Sequence, residues 1–224
     1  MKILTFDTSL NKTYVTLSDN GRMIANEIIE NHNEKYHSAF LIPAIVNILK
    51  TNKLTMLDID VIATNIGPGS FTGIRACVTV ARVFAQQLNI PLVGVSSLEI
   101  LSRIGKSTAK TIVVLDARKQ QFYTAIYEDG VEISAPKLTD AKDLLKMDFS
   151  NSVIISDEST NVFLRENAID SVVYTESNED LGLFLNEIVC KKLSITKKDE
   201  FFWAKLKPLY LQAPPVSMPS VSKN

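Results

Sequence analysis

Gly67, Pro68, Gly69, Ser70, Phe71, Thr72 and Gly73 hold three of the eight glycines of this 224-residue chain. They stand between an apolar run over 59–66, which reads as a buried strand, and a periodic run to about residue 88, which reads as a helix. A glycine turn of this kind, with Ser70 or Thr72 as helix N-cap, leaves several backbone N–H groups pointing out of one loop and can hold an anion. The glycines can equally serve close approach of strand and helix. The Gly-Lys-Ser/Thr of a P-loop is absent. Ser70 sits where a nucleophile elbow places its serine, but the string is not Gly-x-Ser-x-Gly and His37 is the only base on offer. A hydrolase or peptidase using Ser70 is therefore the enzyme alternative, beside a degenerate kinase using Asp7.

Two further acids end apolar runs, Asp7 after 3–6 and Asp116 after 112–115. Either is a candidate base or metal ligand. No second carboxylate or histidine stands at a useful spacing, so Asp7 reads as satisfied by Thr8 and Ser9, and Asp116 as paired locally with Arg118. The two histidines, His32 and His37, are five apart, whereas chelation from one helix face uses a spacing of four. No metal site is expected. Cys77 and Cys190 lie far apart and read as reduced, with Cys77 a small core residue.

The bulk numbers narrow the partners. A net charge of -1 and a pI of about 6.2 do not suit a chain that holds nucleic acid strongly by itself. No apolar run approaches the ~18 residues of a membrane span, and the first residues lack the apolar core of a signal peptide. A cytoplasmic protein without membrane contact is expected.

The elements that position these groups repeat. The strand ending at Asp7 is followed by an alternating strand, an Asn20-Gly21 turn and a returning strand. The run ending at Asp116 is followed by an alternating strand and an Asp129-Gly130 turn. Asp7 and Asp116, Tyr14 and Tyr123, and Gly21 and Gly130 are each 109 apart. A shared offset argues for two copies of one unit, a hairpin followed by alternating helices and strands. The chain thus divides into an N-terminal subdomain over 1–104, a C-terminal subdomain over 105–213 and a flexible tail over 214–224. An α/β fold of two duplicated subdomains, with the acid-ended strands facing a cleft, resembles the actin, sugar-kinase and heat-shock ATPase fold. Nucleotide-binding members of that fold carry glycine after each strand-end acid and a later Gly-Gly pair. Here Asp7-Thr8-Ser9 and Asp116-Ala117-Arg118 have none, and Gly182 is the only glycine after Gly130. The nucleotide site reads as degenerate, and no cofactor is expected.

Two helices carry more apolar surface than a sheet can cover. The helix over 38–50 is apolar nearly all round, with Phe40, Leu41, Ile42, Ala44, Ile45, Val46, Ile48 and Leu49. The helix after the glycine loop has one stripe toward the sheet and a second set, Ala76, Val80 and Val83, beside Arg75, Thr79 and Arg82. A helix layer on a sheet meets water on its other side, so this surplus predicts a helical interface with another protein or with a second copy, and a self-associating scaffold is the non-enzyme alternative. The candidate interface residues are His37, Phe40, Leu41, Ala44, Ile45, Ile48, Arg75, Ala76, Thr79, Val80, Arg82 and Val83.

Several strings resemble the bacterial TsaB family, also called YeaZ: 3–9, His37-Ser38 with Leu41-Ile42-Pro43, the 67–75 loop, 90–99, Asp116-Ala117-Arg118 and Pro208-Leu209-Tyr210-Leu211. The resemblance implies a non-catalytic member of the fold. Such a subunit supports threonylcarbamoyl transfer to N6 of adenosine 37 in tRNAs reading codons that start with A. It implies pairing with a catalytic TsaD-like paralogue and a TsaE-like ATPase, tRNA contact only through the complex, and a possible homodimer through the same helices. The chain departs from the family pattern at Asn65-Ile66, Ala76-Cys77 and Leu211-Gln212.

Overall fold

The computed structural model describes residues 1–30, 38–105, 110–175 and 180–212. The expected tail over 214–224 lies outside them. The first half contributes a sheet in the order β3-β2-β1-β4-β5, from β1 (Lys2–Asp7), β2 (Lys12–Asp19), β3 (Arg22–Glu30), β4 (Val61–Asn65) and β5 (Leu92–Val95). Its helices are α1 (Ser38–Thr51), α2 (Phe71–Leu88) and α3 (Ser97–Ser102). The second half repeats the plan with β6 (Lys110–Asp116), β7 (Gln121–Glu128), β8 (Val131–Asp140), β9 (Ser152–Ser156) and β10 (Val172–Val173) in the order β8-β7-β6-β9-β10. Its helices are α4 (Ala141–Leu144), α5 (Glu158–Glu166) and α6 (Leu181–Ile195). Both hairpin turns use two left-handed residues, Asn20-Gly21 and Asp129-Gly130, as the twist of the flanking strands requires.

The layers run α1 and α2, first sheet, α3 and α6, second sheet, α4 and α5. Leu4, Phe6, Val15 and Leu17 face α1 and α2. Ile3, Tyr14, Val61 and Val93 face inward, where α3 and α6 fill the space before Val113, Leu115, Ala125 and Ile155 of the second sheet. Ile112, Val114, Phe122 and Ile154 face Leu144 of α4 and Leu164 of α5.

The 109-residue offset holds through both hairpins but slips in the first strands. Asp7 pairs across to Tyr14, whereas Tyr123 pairs to Leu115 and Asp116 pairs to Phe122. A one-residue slip reverses which face a side chain takes. Asp7 therefore shares the inward face of Ile3, while Asp116 shares the outward face of Ile112 and Val114 and is exposed. The two strand-end acids do not look into one cleft, which corrects the expectation from the sequence. Nor does Asp116 act through an ion pair to Arg118: its Oδ1 accepts the Arg118 backbone N–H at 2.8 Å.

Candidate functional site

The glycine loop is seated on the end of β1. Gly69 lies so close to Ser9 that a methyl group there would come within 2.5 Å of the Ser9 carbonyl oxygen, and a methyl on Gly73 would overlap the Thr8 carbonyl. Ser70 N–H donates to Ser9 O at 2.7 Å, and Thr8 Oγ1 donates to Gly73 O at 3.0 Å. Gly67 holds φ at +101°, a left-handed conformation open to glycine. Gly69 and Gly73 thus serve contact between two backbones, while Gly67 serves the turn and leaves room for the Ile74 side chain. Ser70 is the N-cap of α2, its Oγ accepting the Gly73 N–H at 3.3 Å.

Below the loop, Asp7 is only 2% exposed, and both its carboxylate oxygens are engaged. Ser9 N–H donates to Oδ1 at 2.6 Å and Asn65 Nδ2 to Oδ2 at 2.8 Å. Asn65 Oδ1 in turn accepts from Gly67 N–H at 2.7 Å and Ser97 Oγ at 3.0 Å. The buried carboxylate is met by a donor on each oxygen, one from the turn after β1 and one from the end of β4, as a buried carboxylate must be. Asn65 and Ser97 were not singled out from the sequence. The signal was the departure at Asn65, whose side chain reaches Asp7, Gly67 and Ser97 at once.

Cys77 lies under the same loop, with its Sγ 3.0 Å from the Thr8 N–H. Burial pushes its thiol up to about 12, and the Asp7 charge adds to this against the opposing Thr8 contacts. In native protein at pH near 8, a thiol reagent is expected to label Cys190 alone, and Cys77 only after unfolding. The raised native value also means that, as pH climbs from 9.0 toward about 12, the unfolded thiol ionises first and stability falls. Labelling of Cys77 in buffer as fast as in urea would contradict this.

The outer face of α1 and α2 is the second feature. Leu41, Ala44, Ile45 and Ile48, named from the sequence as interface, are buried in the chain's own core beside Phe6, Val15 and Ala81. That expectation is corrected: these positions form the stripe that α1 turns toward β1 and β2. The outward positions are Phe40, Ile42, Pro43 and Val46, the last 57% exposed. On α2, Arg75, Thr79 and Val83 are exposed, with Val83 at 48%, while Ala76, Val80 and Arg82 are half-buried. His37 lies outside the described residues. The two helices pack against each other on one face of the sheet, and each leaves apolar side chains exposed, Phe40, Ile42 and Val46 on α1 and Val83 on α2. Among the described residues no group of three His, Cys, Asp or Glu could hold a metal ion, and no helix is long and apolar enough to cross a membrane.

The family model described as "TsaD: tRNA N6-adenosine threonylcarbamoyltransferase" matches residues 23–197. The chain belongs to that family. Within it, the resemblance to the TsaB (YeaZ) group stands. The Bacillus subtilis protein named tRNA threonylcarbamoyladenosine biosynthesis protein TsaB is 36% identical over 129 residues, covering 57% of this chain and 56% of that one. The chain spans about half the length of the curated relatives it matches. The solved structure of YeaZ from Pseudomonas aeruginosa has a TM-score of 0.71 at 21% identity, covering 94% of this chain and 99% of that one. An inorganic polyphosphate/ATP-glucomannokinase from Arthrobacter has a TM-score of 0.50 at 6% identity over 85% of this chain and 98% of that one. Both likenesses are of fold, and the duplicated sugar-kinase-like architecture read from the sequence is the one found.

Proposed function

We propose that this chain is a non-catalytic partner subunit in making threonylcarbamoyladenosine in tRNA. It binds and supports a catalytic TsaD-family paralogue, works with a TsaE-like ATPase, and meets tRNA only through that complex, in the cytoplasm. The observation that carries this reading is the apolar outer face of α1 and α2, with Phe40, Ile42, Val46 and Val83 exposed on neighbouring helices. A chain that folded to act alone would gain nothing from so much apolar surface facing water. The name of the Bacillus subtilis relative supports the pathway.

The closed end of β1 supports the non-catalytic part. A phosphate that approached the backbone at Asp7, Thr8 and Ser9 would have to displace Gly69 and Gly73. Asp7 offers no oxygen free of a protein donor, and the Ser70 hydroxyl is engaged as a cap.

The test is association with the TsaD-family paralogue of the same genome, measured by calorimetry and sedimentation. Val46→Asp and Val83→Asp are each expected to weaken pairing by roughly 30-fold or more, because a carboxylate would be desolvated at the contact. Both positions face outward, so melting temperature should move little. No association of the wild-type chain would overturn the reading, and wild-type affinity in both variants would move the contact off this face. Sedimentation of the chain alone reports whether a second copy occupies the same face.

A further inference from the structure

After α6 the chain returns as a strap across both halves. At one end, Leu209 N–H donates to Ile66 O at 2.8 Å, at the entry to the glycine loop. At the other end, Gln212 Nε2 donates to Ala117 O at 2.6 Å, and Gln212 Oε1 accepts from Tyr123 OH at 3.0 Å, beside the end of β6. Between these anchors the Tyr210 ring lies against Phe71, the first residue of α2, with centroids 5.5 Å apart and planes tilted by 34°. One turn further along α2, the Arg75 guanidinium lies over the same Phe71 ring, 5.1 Å from its centroid. Arg75, Phe71 and Tyr210 therefore form a row fixed at both ends by the fold.

That row is open to solvent. Phe71 is 51% exposed and Tyr210 49%. Two half-exposed rings with a stacked arginine have the composition of interface anchors, and their rotamers are already restricted. The electrostatics are one-sided. Neither α1 nor α2 contains an acidic residue, while they carry Lys50, Arg75 and Arg82. Among the described residues no carboxylate pairs with Arg75. A guanidinium held over a ring and paired with no carboxylate has N–H donors available for a bidentate acceptor.

We propose that Arg75, Phe71 and Tyr210 form a docking site for a carboxylate-bearing segment of the partner protein. The carboxylate pairs with the Arg75 edge, and the apolar stem of the same segment lies on the two rings. This rests on the partner reading above and names the chemistry of one contact in it. A nucleic-acid strand fits less well, because phosphate binding draws on many cations, and this row has one in a chain of net charge -1.

The full chain and the TsaD-family paralogue of the same genome are the probes, titrated at low and high salt. Arg75→Glu is expected to cut affinity by roughly 30-fold at low salt, with a smaller loss at high salt. Tyr210→Ala is expected to cost about tenfold at either salt, and Arg75→Lys an intermediate amount. Thermal unfolding of each variant checks that the fold is retained. Val46→Asp separates the two ideas. If it weakens pairing while Arg75→Glu and Tyr210→Ala do not, the docking site is wrong and the partner reading stands. If none of the three changes pairing, the docking site is wrong and the contact lies off this face; if the wild-type chain itself does not pair, both fall. If Arg75→Glu and Tyr210→Ala leave pairing intact but reduce binding of labelled tRNA to the pair, the site belongs to nucleic acid and this assignment is overturned.

Discussion

Gly73→Ala is expected to destabilise the chain by about 4 kcal/mol, at the upper end of what a single added methyl group does. The new carbon would overlap the carbonyl of Thr8, and the next neighbours are also backbone atoms of Thr8 and Ser9. Backbone on both sides leaves no flexible side chain to move aside. Thr8 is held in place by its hydroxyl on Gly73 O and its N–H on Cys77, so relief of the overlap breaks those bonds too. Gly21→Ala is the control. Nothing lies within 4 Å of a methyl there, and only the left-handed backbone at φ +80° resists it, at about 1 kcal/mol. Denaturant unfolding of both variants checks the contrast. Equal midpoints would mean that the loop is not clamped against β1.

Ile45→Asp is expected to unfold the chain, while Val46→Asp, one residue on, leaves it folded. Ile45 is 1% exposed and packs in the cluster of Leu4, Phe6, Leu17 and Ala81. A carboxylate at that position has no donor among its apolar neighbours, and burying it costs several kcal/mol, comparable to the whole stability of a domain. Val46, about 100° further round the helix, projects into water. Circular dichroism melts of the two proteins read the difference directly. A cooperative melt of Ile45→Asp near wild type would show that α1 does not pack as described.

These two substitutions mark where the sequence was legible. The hairpins were, because Asn20-Gly21 and Asp129-Gly130 announce their turn type and share an offset. The strand-to-helix site of the glycine loop was too, since the apolar run before it and the periodic run after it differ in period. Which side of α1 faces the core was not. With Phe40, Ile42, Ala44, Ile45, Val46 and Ile48 all apolar, the pattern carries no contrast from which to pick a face. The inward and outward residues separate only once β1 and β2 lie against the helix.

The site was legible in the same uneven way. The glycines promised close approach, but what approaches Gly69 and Gly73 is the carbonyls of Ser9 and Thr8, some 60 residues earlier in the chain. The bond from Asn65 to Asp7 spans 58 residues, and the bond from Gln212 to Ala117 spans 95. No local pattern encodes contacts of that range. The slip between β1 and β6 was hidden because the landmarks chosen, a strand end, an aromatic and a turn, kept their spacing while one strand moved against its partner.

The middle layer ties the two halves together by exchange. By order in each half, α3 and α6 are counterparts, yet each lies on the other half's sheet: α6 covers β1, β2 and β4, and α3 covers β6 and β7. Each half lends its last helix to its sibling. Neither can bury its inner sheet face without the loan, so a single unit standing alone would expose a row of apolar strands. Cut between the two halves, either unit expressed alone is then expected to stay open on that face, and to close it only when its sibling is present to exchange the helix.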